Sequence, residues 1–241
     1  MSGKGGVGKS SVAALLATEL AKKGSRVGIL DADITGPSIP KLFGIKEAPV
    51  SLPFGIIPPK TSLGIEVMSL NLFLPHEDDP VIWRGPLISG AVKQFWTDVI
   101  WGDIDYMVVD LPPGTGDAPL TVLQSLPLDG IIIVSSPQDL ALMVVKKAIK
   151  MARMLNVPIL GMVENMSYVR CPKCHERIEV FGPSVAGKVA AEENIRFLGS
   201  LPLDPDLSRL GDEGRIEEYE AGFLGAVASF LGDSETTRKE S

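Results

Sequence analysis

The segment GKGGVGKS, residues 3–10, sets four glycines among two lysines and a serine. It satisfies G-x-x-x-x-G-K-[ST] in full. Gly3, Gly5, Gly6 and Gly8 leave the loop backbone free to turn its N–H groups, that of Val7 included, around phosphate oxygens. Ser10 and Ser11 then open a helix whose N-terminus faces the same anion. Lys9 would reach the β- and γ-phosphates, and the Ser10 hydroxyl would hold Mg²⁺. A glycine-rich turn with no ligand is the plain alternative, and the helical pattern that follows directly argues against it.

Three carboxylates fit the same chemistry. Asp110 ends an apolar run in VVDLPPGTGD, where a Walker-B carboxylate holds Mg²⁺ directly or through water. Gly114 and Gly116 make the loop after it suited to sensing a γ-phosphate. Asp31 and Asp33, in LDADITGPS, stand at another strand tip, where they can hold metal or orient a water for in-line attack. Solvated turn acids are the alternative for both.

A second kind of chemistry sits in VRCPKCHERIEVFG, residues 169–182. Cys171 and Cys174 are the chain's two cysteines. Cys-x-x-Cys is half of a metal site, because structural zinc and most iron–sulfur clusters take four protein ligands. A redox pair normally opens a helix, whereas alternation over Arg177–Val180 here is strand-like. Thiolates accept zinc as well as iron–sulfur clusters. His175 is a further candidate ligand, though an exposed, non-ligating place suits it better.

These groups need a frame. Residues 10–24 have a helical pattern closed by Gly24, and RVGILDAD (26–33) is a buried strand tipped with carboxylates. Six prolines in 34–64 mark an irregular excursion. Strands follow at 64–70, 105–110, 130–137, 158–166 and near 196–201. Helices are expected at 86–101, 139–156, 184–192 and 215–231. Apolar strands alternating with helices predict an α/β fold of three layers, a mainly parallel sheet flanked by helices, with ligands at the carboxyl ends of the strands. Residues 1–231 read as one domain and GDSETTRKES (232–241) as a disordered tail. A phosphate loop normally follows a buried strand. Almost none of one precedes Gly3, so that strand is expected upstream of Met1.

The chain's 241 residues are 45% hydrophobic and 22% charged, with a net charge of −7. An acidic chain with no basic run disfavours nucleic acid and anionic membrane as partners. No apolar stretch is long enough to span a bilayer and no signal peptide is evident. So few cysteines suit a reducing compartment.

Lys4 adds a lysine inside the phosphate loop, placed to reach a nucleotide on a facing subunit rather than its own. K-G-G-x-G-K-[ST] resembles the deviant Walker-A ATPases, such as MinD and ParA. That resemblance implies ATP-dependent dimers in which Lys4 crosses to stabilise transition-state charge. Within the group, SGKGGVGKSSVAALLA, DADITGPSIPKLFG, VIWRGPLISGAVKQF, DYMVVDLPPGTGD, MVENMSY and CPKC occur in one order. Together they resemble the Mrp (ApbC) family over about residues 1–225. The resemblance implies a cytoplasmic, slowly ATP-hydrolysing scaffold or carrier. It would hold a labile [4Fe–4S] cluster between two subunits, with Cys171 and Cys174 from each, and pass it to recipient iron–sulfur apoproteins. It also implies adenine recognition by Asn165 and by residues near PLDP (202–205). Trp83 and Arg84 fall in its WRGP signature with no assigned role. The alternative is a zinc-clamped positioning or regulatory ATPase like MinD or ParA. The last helix lacks the cationic face that lipid needs, and neither MinD-like nor ParA-like activity calls for CPKC. A phosphate-loop metabolic kinase shares the fold but needs neither the crossing lysine nor the thiolate pair.

Overall fold

A computed structural model describes residues 1–3, 5–33, 36–74, 85–137, 142–222 and 224–239. Lys4, Trp83 and Arg84 lie outside the described residues. The elements run α1 (Lys9–Lys22), β1 (Val27–Asp31), α2 (Ile39–Leu42), β2 (Val50–Leu52), β3 (Gly55–Ile57), β4 (Glu66–Ser69) and α3 (Gly85–Thr97). They continue with β5 (Tyr106–Asp110), α4 (Asp117–Ser125), β6 (Ile131–Ser135), α5 (Leu142–Met154), β7 (Ile159–Arg170) and β8 (Arg177–Ile178). The last are α6 (Ala186–Glu192), β9 (Phe197–Pro202), α7 (Pro205–Asp212) and α8 (Leu224–Lys239).

The strands form two parallel groups, β4-β1-β5 and β6-β7-β9. Helices cover both faces. Alternation along β1 shows why: Val27 and Ile29 enter the core under α1 and α8, while Leu30 enters the core under α3, α4 and α5. Ile29 and Leu30 are fully buried, each stabilising the fold by about 1.5–3 kcal/mol. Register then decides the chemistry. Asp31 pairs with Ser69 of β4 and with Asp110 of β5, so the carboxylates meet at one edge of the sheet.

Four differences from the sequence expectations have local causes. The proline-rich excursion contains the short α2 and the β2–β3 hairpin, because Pro40 suits the first turn of a helix. Helices α4 and α7 arise where no helix was predicted, each too short to show a periodic stripe; α7 starts at Pro205 behind the capping Asp204. β7 continues to Arg170 rather than ending at 166, by placing Met166 at φ 57° and shifting register against β9. Helix α8 continues to Lys239, past residue 231 and through Gly232, since no proline follows to stop it. Among the described residues no helix is long and apolar enough to cross a membrane.

Candidate nucleotide and thiolate sites

Gly8 caps α1 with φ 74° and supplies no side-chain cap. The first N–H groups of the helix therefore remain for an anion. The loop is held from three sides. Val7 is buried in the core under α1. A Cβ on Gly3 would lie 1.9 Å from Val144 Cγ1 of α5. A Cβ on Gly8 would lie 2.1 Å from Asn165 Nδ2. Asn165, buried on β7, donates from Nδ2 to the Val7 carbonyl at 3.0 Å, and its Oδ1 is buried without a hydrogen-bond partner. Asn165 thus braces the phosphate loop and keeps an acceptor in reserve. Gly5 and Gly6 are exposed, and Ser10 and Ser11 half-buried, at the loop's open side.

Lys9 Nζ lies 3.4 Å from Asp110 Oδ1 and 4.0 Å from Asp33 Oδ2. All three side chains are nearly dry, so the cation offsets charge that burial penalises. Burial raises the pKa of Asp110, while Lys9 and the Ser10 hydroxyl pull it back. Asp110 Oδ2 is buried with no hydrogen-bond partner. A carboxylate with an orphaned oxygen beside Ser10 fits a hard cation, so the residues present suit Mg²⁺ at Ser10 and Asp110.

Asp31, expected as a Mg²⁺ ligand, is buried at its strand tip opposite Asp110. Its Oδ2 accepts from the Ser38 N–H at 3.1 Å, the Ile39 N–H at 3.2 Å and the Ser69 hydroxyl at 3.3 Å. Its Oδ1 accepts from the Asp33 N–H at 3.2 Å. These bonds tie both oxygens to the backbone of Asp33, Ser38 and Ile39 and to the Ser69 hydroxyl. Burial, then the neighbouring Asp110 charge, raises the Asp31 pKa to about 8. Ser38, Ile39 and Ser69 escaped the sequence analysis because their contacts come from register and turn geometry.

The Pro202–Asp204 stretch borders an open cavity of about 770 Å³ that also touches Tyr168 and Tyr219. Asp204 caps α7 and accepts from the Tyr219 hydroxyl at 2.9 Å.

The cysteines occupy the turn between β7 and β8. Cys174 is exposed and Cys171 half-exposed, both as free thiols. The His175 N–H donates to the Cys171 carbonyl at 2.9 Å and the Cys171 N–H to the Glu176 carbonyl at 2.9 Å. His175 closes the turn at φ 60°. The N–H of Cys174, then that of Lys173, stabilise the Cys171 thiolate and lower its pKa. The thiolate is the metal-binding form. Arg177 lies 3.6 Å from the Tyr168 ring centroid, clamping β8 on β7. Among the described residues no group of three or more His, Cys, Asp or Glu side chains is arranged to hold a metal. One described chain therefore offers the cysteine pair and no third such ligand.

The family model described as ParA: NUBPL iron-transfer P-loop NTPase matches residues 1–225. The chain belongs to this family. The assignment agrees with the resemblance carried by the motifs. Among curated relatives, the iron-sulfur cluster carrier protein of Methanocaldococcus jannaschii is 50% identical over 89% of this chain and 74% of its own length. That of Clostridium perfringens is 46% identical over 92% and 80%. Among solved structures, a nucleotide-binding protein from Archaeoglobus fulgidus in complex with ADP, with Co, superposes at a TM-score of 0.84 and 49% identity. It covers 93% of this chain and 88% of its own. The cell division ATPase MinD of Pyrococcus furiosus superposes at 0.66 and 20% identity over 97% and 96%, which shows a shared fold. This family member therefore has the α/β P-loop NTPase fold, with Asp110 at the end of β5 and Asn165 within β7 beside the phosphate loop.

Proposed function

We propose that this chain is an ATP-binding, slowly ATP-hydrolysing carrier that holds a labile [4Fe–4S] cluster at a homodimer interface and transfers it to recipient apoproteins. The family and the names of its relatives support the carrier class. The observation that carries the coupled reading is strand β7. Asn165, bonded to the phosphate loop, lies on the strand that runs directly into Cys171. The stretch is continuous through the bulge at Met166, so a shift of the loop has a backbone path to the thiolate turn.

The phosphate oxygens take the α1 N-terminus and the loop N–H groups. Lys9 leaves its carboxylates for the β- and γ-phosphates, with Mg²⁺ at Ser10 and Asp110 neutralising phosphate charge. Asp33 orients the attacking water, and Asp31, bonded to the Asp33 N–H, adds a carboxylate that would support Mg²⁺ beside Asp110. Lys4 of a facing subunit stabilises the charge that develops, and Asn165 Oδ1 accepts from the adenine amino group. Two thiolates per chain become four in a symmetric dimer. Ile178, Val180 and Phe181, all exposed beside the cysteines, are apolar surface that a second copy would cover. The cluster is cargo, and an exposed turn lets it leave.

Anaerobic reconstitution with iron and sulfide tests this reading. About two irons per chain are expected, in a dimer that loses the cluster in the Cys171→Ala/Cys174→Ala variant. Tightly held zinc with no cluster would replace it with a zinc-clamped regulatory ATPase.

A further inference from the structure

Helix α5 carries Lys146, Lys147, Lys150 and Arg153 and no carboxylate, on a chain whose net charge is −7. Its inner face, Val145, Ala148, Ile149 and Ala152, is buried in the core. One flank of the helix already has its counter-charges. Lys146 Nζ lies 3.4 Å from Glu192 of α6 and 3.9 Å from Glu193, and Arg153 lies 2.9 Å from Glu193. Lys147 and Lys150 are exposed and make no ion pair among the described residues.

Two methionines continue that exposed line. Met143 and Met154 are 64% and 83% exposed. With about 100° of turn and 1.5 Å of rise per residue, Met143, Lys147, Lys150 and Met154 fall within roughly 60° of arc along about 16 Å of helix. The stripe reads apolar, cation, cation, apolar, at steps of four, three and four residues. One exposed methionine or one solvated lysine would be ordinary surface. Their alignment on a single stripe is not. Methionine adapts its shape to different partners, and lysine stems lie along apolar surface while their ammonium groups reach a counter-charge.

We propose that this stripe docks an acidic amphipathic helix of a partner protein, one that carries two carboxylates a turn apart between apolar side chains. Charge complementarity selects that occupant, and α6 shows the same pairing on the other flank, where a helix packed beside α5 brings carboxylates to Lys146 and Arg153. The four-three-four spacing is the same read from either end, so the stripe accepts a helix running in either direction. Two free lysines are too few to hold a phosphate backbone or an anionic bilayer against the chain's own negative charge. Under the carrier reading the partner is a recipient apoprotein. Docking itself needs neither cluster nor nucleotide.

The probe is a helical peptide with leucine, glutamate, glutamate and leucine at the same spacing in an alanine–glutamine background. Its binding to the full chain is read by calorimetry without nucleotide or iron, so failure here leaves the carrier reading standing. The peptide is expected to bind, and Lys147→Glu/Lys150→Glu to weaken it by about tenfold or more. A peptide with lysines in place of the glutamates should bind that variant instead, which a misfolded variant would not do. Met143→Gln/Met154→Gln should weaken the original peptide about 3- to 10-fold and leave its salt dependence unchanged. Equal binding of a peptide whose glutamates lie opposite its leucines would show general charge attraction and overturn the proposal. So would no binding at all. Self-association of the chain, or binding to phosphatidylserine vesicles, that the lysine variant loses while the peptide never binds would give the stripe to a second copy or a bilayer instead.

Discussion

Single side chains hold the phosphate loop in shape. Gly8 has a left-handed backbone and no room for a Cβ against Asn165. Gly8→Ala is therefore expected to weaken ADP binding by more than about tenfold, by calorimetry, while the circular dichroism spectrum stays the same. Asn165→Ala removes the bond to Val7, so ADP affinity should fall about 3- to 10-fold. An unchanged affinity would show that Asn165 braces nothing that matters to the nucleotide.

At the scale of elements, strand register and helix ends do the positioning. Pairing of β1 with β5 brings Asp31 and Asp110 side by side, and β7 joins loop to thiolate turn. The helices flanking β7 end in left-handed asparagines, Asn156 after α5 and Asn194 after α6, at φ 55° and 53°. Asparagine tolerates this conformation where most residues do not. Asn156→Ala should cost about 1 kcal/mol, lowering Tm by roughly 2–4 °C, and Asn156→Gly should match or exceed wild type. Equal losses for both would locate the effect in the asparagine side chain instead.

For the whole molecule, the proposed function places a nucleotide chemistry and a metal chemistry on one chain. Nucleotide and metal functions should therefore come apart by mutation. Cys171→Ala/Cys174→Ala is expected to abolish metal-dependent dimerisation, read by light scattering, while ADP affinity stays within about twofold. A large loss of ADP affinity would mean that the thiolate turn supports the nucleotide site even without metal.

The sequence by itself determined the local chemistry. The loop glycines, Lys9, Ser10 and the cysteine spacing were legible because each depends on neighbours within a few residues. The alternation of apolar strands with helices was legible too, since burial on both faces leaves continuous apolar runs. Only the tertiary structure decided what depends on residues far apart. It committed Asp31 to the Ser38–Ile39 turn and Ser69, because three segments converge there. It set Asn165 against Val7, across 158 positions of chain. It carried β7 past Met166 to the cysteines, because a bulge against β9 repairs the register.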